Sequence, residues 1–277
     1  MLLSGKSVAQ KIFNATQLQI KKAQVSPGLG VILVGDDAPS HLYVGIKERK
    51  AEELGITFVK KVFGPVVTEG EVIRVIQELN GQADIHGIIV QLPLPEHLDT
   101  DRIIASIEPS KDTDGFHPET IQKFLAGDQS RLPVFPRAML ELVREAKKDV
   151  YQKGVALVNS ELMGEVLQQA LRDEGLISEY ILREEIGMKK DILEAADVIL
   201  TATGEAASFS ITQCKEGAIV VDGGISYDTK GRVIGDVARD DGVYRDDIWV
   251  TPVPGGVGPV TVAVLLARVT EAALRNE

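Results

Sequence analysis

The sequence predicts a two-domain α/β protein built on parallel sheets, and three observations carry that expectation. Apolar runs of the kind needed by parallel strands buried on both faces recur at Gly30 to Val34, Gly87 to Val90, Val155 to Val158, Val198 to Thr201 and Ala218 to Val221. Segments of helical periodicity separate most of these runs, so the strands need crossover connections and pair in parallel. The βα pattern restarts at Gly154, after the polar stretch AGDQSRLPVFP and a helical segment, which marks a domain boundary.

Taken in order, the first half should contain a helix from Lys6 to Lys22, a strand around Ile32, a helix carrying Tyr43, a strand around Val59 and a helix from Val72 to Leu79. The strand Ile88 to Val90 then runs into QLPLP, and a helical segment spans Arg137 to Lys148. The second half repeats strand and helix, and a terminal helix follows Pro259 and can return to the first domain. These readings give one domain over residues 1–139 plus 252–277 and another over 140–251. In such sheets ligands gather at the carboxyl ends of the strands, so the loops after strands matter most.

A chain of 277 residues with 44% hydrophobic content can bury a sizeable core. Thirty basic against forty-one acidic residues leave a net charge of −11, which argues against nucleic acid or an anionic membrane as the main partner. The single Cys214 rules out an internal disulfide and fits a reducing cytoplasm, and four scattered histidines give no metal signature. Lys6 interrupts the amino terminus too early for a signal-peptide core, and no later run reaches the ~18 continuous apolar residues of a membrane span. The expectation is a soluble cytoplasmic protein.

Four strings carry chemistry. In SHLYVGIK, Tyr43 and Lys47 stand at i, i+4 and share one helix face. Burial of that face would lower the lysine pKa towards neutrality, where it gives and takes protons while the phenol holds the amine by a hydrogen bond; the same spacing also suits a solvated surface. GIIVQLPLP puts Gln91 where a strand stops, with Pro93 and Pro95 stiffening the exit. Its amide can serve a substrate carbonyl or the lysine amine, or simply satisfy nearby backbone.

In KDTDGFHP, Asp112 reads as a turn residue and His117 as structural, whereas the Asp114 carboxylate can accept paired hydrogen bonds from an amidine-like edge such as that of a pterin. TPVPGGVGPVT combines Gly255, Gly256 and Gly258, which allow a ligand close to the backbone, with prolines that stiffen the loop, and Pro259 can start the last helix.

These four motifs, in this order and at these spacings, closely resemble the bifunctional methylenetetrahydrofolate dehydrogenase/methenyltetrahydrofolate cyclohydrolase family over nearly the whole chain. The resemblance implies a parallel-sheet catalytic domain and a Rossmann-like nucleotide-binding domain with a cleft between them. It implies interconversion of methylene-, methenyl- and 10-formyltetrahydrofolate, NADP as cofactor, tetrahydrofolate derivatives as partners, a homodimer, and a place in one-carbon metabolism and purine biosynthesis. By the same resemblance, Lys47 acts in proton transfer, Tyr43 lies by the folate, Gln91 tunes the lysine and Asp114 binds the pterin. Gly255, Gly256 and Pro259 fall at the substrate, and Ser160, Gly164 and Ile225 at the cofactor.

The nucleotide half departs from that pattern. Where the family has a glycine, an arginine, a serine and a second glycine followed by proline, this chain has Val158, Asn159, Ser160, Gly164, Glu165 and Val166, so only Ser160 and Gly164 survive. Val158 should resist a positive φ and fill space that a diphosphate needs, while Glu161 and Glu165 set negative charge at a helix start that would otherwise attract phosphate. Arg183 is followed by Glu184 and Glu185, Phe135 stands in PVFP, and GEAASF follows Thr203. The sequence therefore leaves NADP, NAD or no nucleotide open. Hydrolysis of a methenyl bridge needs proton shuttling and no nucleotide; hydride transfer needs one. The rival readings are a cyclohydrolase-only enzyme and a non-catalytic folate-binding or regulatory relative that has lost nucleotide binding.

Overall fold

Strand β1 (Gly28–Val34) is buried at every residue, as its unbroken apolar run requires. The computed structural model describes residues 1–146, 151–238 and 245–275. Helix α1 (Gly5–Ala23) precedes β1, and α2 (Ala38–Leu54), β2 (Thr57–Phe63), α3 (Glu69–Asn80) and β3 (Gly87–Val90) follow it. Two short helices, α4 (Thr100–Ile104) and α5 (Pro118–Leu125), come next. The three strands form a parallel sheet in the order β2-β1-β3, with Gly30 opposite both Val59 and Ile88. Ile32, Val34 and Val90 pack on Val72, Ile76 and Leu79 of α3 to make one core.

Helix α3 starts three residues ahead of the apolar repeat because Thr68 and Glu71 form a reciprocal capping box. Helix α2 is bounded by equally local chemistry. The Asp37 carboxylate accepts the Ser40 N–H at 2.9 Å, and Gly55 closes the helix in the left-handed conformation at φ 77°.

The second half begins with α6 (Val134–Glu145), β4 (Lys153–Val158), α7 (Glu161–Asp173) and β5 (Ile177–Leu182). It continues through α8 (Lys190–Ala195), β6 (Val198–Ala202), β7 (Phe209–Ser210), β8 (Ile219–Asp222), β9 (Ser226–Tyr227), β10 (Val233–Ile234), β11 (Val237–Ala238) and β12 (Trp249–Val250) to α9 (Val257–Arg275). The expected helix to Lys148 ends at Glu145; residues 147 and 148 lie outside the described residues. Five strands pair in parallel in the order β12-β8-β6-β4-β5. Strand β4 is followed by β5 on one side and β6 on the other, so the order reverses between β4 and β6, the crevice where doubly wound sheets take ligands.

The chain divides into two units, Met1–Ala9 with Phe135–Thr261 and Gln10–Val134 with Val262–Glu277. Their edges fall at 134/135 and 261/262, with the first nine residues grouped with the second half, whereas the sequence reading cuts at 139/140 and 251/252. Helix α9 is long and apolar enough to cross a membrane by length and composition, although no run of that length was expected. Burial of 72% of its apolar window inside the protein marks it as a core helix.

Candidate active site

Lys47 owes its burial to register. Along α2 the buried residues are Ser40, Val44, Lys47, Ala51 and Leu54, a repeat of four and three that defines the face turned to the core. The lysine occupies a core position in that repeat and is only 8% exposed. Gln91, the first residue after β3, meets it. Its backbone N–H continues the sheet to the Ile32 carbonyl at 2.8 Å, and its side-chain Oε1 accepts from Lys47 Nζ at 2.9 Å. The other half of the amide donates to the Leu92 carbonyl at 2.8 Å, which fixes which end faces the amine. The Leu92–Pro93 bond is cis.

Tyr43 stands beside the amine, as the i, i+4 spacing requires. Its ring faces the amine, with Lys47 Nζ 5.2 Å from the ring centroid, while the amine donates to Gln91. Burial pushes the Lys47 amine below the ordinary lysine range, and the negative charge of Asp114 partly opposes this.

Asp114 is reached through the loop after α4. The Lys111 carbonyl accepts the Ile88 N–H at 2.8 Å and Asp112 bridges to Ile88, so the loop runs alongside β3. The buried Asp112 carboxylate accepts the N–H groups of Gly115 at 2.9 Å and His117 at 3.0 Å, shaping the turn in which Gly115 takes φ +90°. His117 caps α5 through Nδ1, which accepts the Glu119 N–H at 3.0 Å. Asp114 keeps some exposed surface, and its residue lines a small cavity with Asp112, Phe116, Val90 and Leu92. Burial raises the Asp114 carboxyl above the usual carboxylate range, Lys47 opposes that shift, Asp112 adds to it and Arg268 opposes it. Sequence reasoning missed Arg268. Its signal is a lone arginine in the apolar run VTVAVLLARV.

In the other unit, Gly255 takes φ +105°, which only glycine adopts easily, and its carbonyl accepts the Gly5 N–H at 3.0 Å. A side chain on Gly256 would meet the Pro252 carbonyl oxygen at 2.5 Å. The positive φ accounts for Gly255 and backbone crowding for Gly256. Pro259 lies in the first turn of α9, which opens at Val257, where a missing N–H costs no helical bond.

At the β4/β6 switch point, the Ser160 hydroxyl caps α7 by accepting the Met163 N–H at 3.4 Å. Gly164 is buried four residues on, and a Cβ there would lie 2.5 Å from the Tyr180 ring, so this glycine serves helix-to-strand packing. Ile225 is 58% exposed on the loop after β8. Val158 takes no positive φ, as its β-branched side chain requires. It is the last residue of β4, fully buried and paired with Leu182 and Ala202, and the non-glycine residues with positive φ among those described are Gln24 and Ala207. Gly204 at φ +66° makes the turn after β6, near the Asn159 amide.

This scaffold fits a nicotinamide dinucleotide: a capped helix N-terminus, the Asn159 amide and an open loop after β8 all lie at strand ends. The local charge suits a phosphate less well. Glu161 occupies the first turn of α7, and Arg183 is paired with Glu205 at 3.2 Å. Phe135 packs against Gly223, where a Cβ would lie 2.6 Å from its ring.

Comparison with known proteins agrees with this architecture. Residues 3–114 match the tetrahydrofolate dehydrogenase/cyclohydrolase catalytic domain, and residues 133–277 match the NAD(P)-binding domain of the same description. The chain is 38% identical to the bifunctional protein FolD of Bacillus subtilis over 93% of this chain and 91% of that one. It is 37% identical to the FolD protein of Streptococcus pyogenes over 99% and 98%. Among solved structures, the bifunctional FolD enzyme of Campylobacter jejuni superposes with a TM-score of 0.90 at 34% identity, covering 100% of this chain and 99% of that one. The Trypanosoma brucei FolD, complexed with NADP cofactor and inhibitor, gives 0.91 at 28% identity, with 99% and 97% covered.

Proposed function

The chain belongs to the tetrahydrofolate dehydrogenase/cyclohydrolase family, and from that membership we propose that it interconverts methylene-, methenyl- and 10-formyltetrahydrofolate. The observation that carries the chemical part of this reading is the buried Lys47 amine, held by Gln91 and depressed in pKa. A lysine with an ordinary pKa is an ammonium at neutral pH and cannot accept a proton. This one can.

In the cyclohydrolase step, water adds to the methenyl carbon and loses a proton to the neutral Lys47 amine. The resulting ammonium returns that proton to N5 as the C–N5 bond breaks, and the hydroxyl proton leaves to solvent as the formyl group forms. One molecule of water is consumed and one proton is released. Gln91 holds the amine through the cycle, the Tyr43 ring face steadies its charged form, and Asp114 accepts the donor edge of the pterin as a paired carboxylate. By the family resemblance we assign Gly255, Gly256 and Pro259 to substrate binding. We assign the folate chemistry to residues 1–139 plus 252–277 and nucleotide binding to 140–251.

A bound nicotinamide dinucleotide supplies the hydride acceptor for oxidation of the methylene bridge. Ser160 and Asn159 at the β4–α7 turn would hold it, with Gly164 keeping α7 close to the sheet and Ile225 at the loop beyond β8. A second reading, in which cyclohydrolase activity dominates and the dinucleotide binds weakly, is favoured by Glu161 in the first turn of α7 and by the Arg183–Glu205 pair. The enzyme works as a cytoplasmic homodimer that supplies one-carbon units for purine biosynthesis.

Purified protein supplied with methenyltetrahydrofolate alone, and separately with methylenetetrahydrofolate plus NADP or NAD, tests the reading. Hydrolysis without added nucleotide is the expected result. Absence of both turnover and folate binding would overturn it.

A further inference from the structure

We propose that Arg268 and Asp112 are positioning residues that place opposite charges beside Asp114 and thereby set the lower pH limit at which its carboxylate grips the pterin edge of the substrate. The proposal rests on the reading of Asp114 as the pterin ligand.

Arg268 stands in the middle of α9 yet is only 8% exposed, and a buried guanidinium is retained where it has partners that repay its desolvation. Its Nη1 donates to the Leu132 carbonyl at 2.6 Å. The same nitrogen lies 3.3 Å from the point a Cβ on Gly115 would occupy, and the Pro133 Cα lies 2.7 Å from that point. The Val134 N–H donates to the Asp114 carbonyl at 2.9 Å. The guanidinium therefore sits against the two chain segments that are bonded together at Asp114, and no side chain can come between it and the Gly115 backbone. Asp112 is fixed just as firmly on the amino-terminal side of Asp114, since its two carboxylate oxygens each accept a backbone N–H from the turn.

The charged groups acting on the Asp114 carboxyl come from three places: Lys47 on α2, Asp112 on its own loop and Arg268 on α9. Lys47 moves protons in the reaction, so its charge alternates. Arg268 keeps its charge at every working pH. Burial alone drives Asp114 towards the protonated acid, which accepts hydrogen bonds poorly. Arg268 counters this with constant positive charge, and Asp112 works against it.

Calorimetric titration with 5-formyltetrahydrofolate from pH 5 to pH 8 tests the assignment on the full-length protein, with melting curves to check folding. Wild type should lose affinity as pH falls, with a midpoint set by Asp114. Arg268→Gln should move that midpoint up and Asp112→Asn should move it down, while Arg268→Lys, which keeps the charge, should leave it near the wild-type position. Each pH unit of displacement changes affinity roughly tenfold on the acid side. Folded Arg268→Gln and Asp112→Asn proteins whose midpoints stay put, or move in the same direction, would overturn the proposal while leaving Asp114 as the ligand. If Asp114→Asn binds as tightly as wild type across the range, the reading of Asp114 itself fails. Should Arg268→Gln not fold, Asp112→Asn with Arg268→Lys decides the matter by the same midpoints.

Discussion

Lys47 Nζ donates to Gln91 Oε1 at 2.9 Å across 44 residues of sequence, joining the core face of α2 to the end of β3. The contact is built from both sides: helix register buries the amine, and the Gln91 bond to Leu92 orients the amide that receives it. Replacing the acceptor by a carboxylate tests its part. Gln91→Glu sets a negative charge against the amine, so the lysine pKa should rise and the alkaline shift of the cyclohydrolase pH profile should be measurable in kcat. Gln91→Leu should lower kcat by about 10²-fold, in line with loss of a positioned acid–base partner.

The buried lysine also makes a stability prediction with a definite sign. Its folded pKa is depressed, so the contribution is fully present above the ordinary lysine pKa and is lost as pH falls through the folded value. Lys47→Met should therefore melt at a higher temperature than wild type at pH 6, and the gap should narrow towards pH 10. Equal melting temperatures at pH 6 would contradict the burial argument.

A buried acid pair in the other unit acts through a different pH window. Asp222 accepts the N–H groups of Gly224, Asp236 and Val237, and Asp236 accepts from Thr201 and Thr203 while its Oδ1 has no partner. Burial pushes Asp222 up to about 6, against the backbone N–H groups of Asp236, Val237 and Gly224, with the Asp236 charge adding to the rise. Relative to its usual 3.8, that corresponds to on the order of 3 kcal/mol, present at low pH and lost as pH rises through about 6. Asp222→Asn should remove this slope between pH 4 and pH 7 and leave a constant offset for the altered backbone bonds, as chemical denaturation at several pH values would show.

Gly164 offers a test of packing against phosphate binding. Gly164→Ala forces a methyl group into the Tyr180 ring, so the variant should lose about 1–3 kcal/mol of stability. Adding Tyr180→Ala should relieve the clash, leaving the double mutant less destabilised than the two single costs add up to. Additive losses would show that the glycine is there for another reason.

Much of this was legible in the sequence. The strands β1, β3, β4, β6 and β8 announce themselves because each is buried on both faces and so reads as an unbroken apolar run. Strands β7, β11 and β12 are two residues each and owe their pairing to neighbours far along the chain, which no local pattern encodes, and β9 and β10, equally short, pair with each other across a local hairpin. Lys47 could be placed on a helix with Tyr43, but only the full buried repeat from Ser40 to Leu54 decides that its face is the core face. Spacing placed Tyr43 beside the amine, and the distance from its ring to Lys47 Nζ comes from packing that spacing does not fix. Arg268 shows the limit most clearly: its effect on Asp114 joins residues 154 positions apart by number, and an isolated charge in an apolar helix is the only hint the sequence offers.

The nucleotide half responds to charge. Glu161→Gln removes a carboxylate from the first turn of α7, and NADP should then bind roughly two- to fivefold more tightly, the scale of one charge at an exposed helix end. Titration of wild type and variant at fixed ionic strength checks this, and unchanged affinity would place the phosphates elsewhere.

The central claim is that Lys47 moves the proton in methenyl-bridge hydrolysis. Nucleotide-free turnover of methenyltetrahydrofolate by wild type and Lys47→Met, with folate binding measured in parallel, addresses it most directly. The account predicts that the variant still binds folate but that its turnover falls by about 10³-fold or more. Turnover within a few-fold of wild type would contradict it.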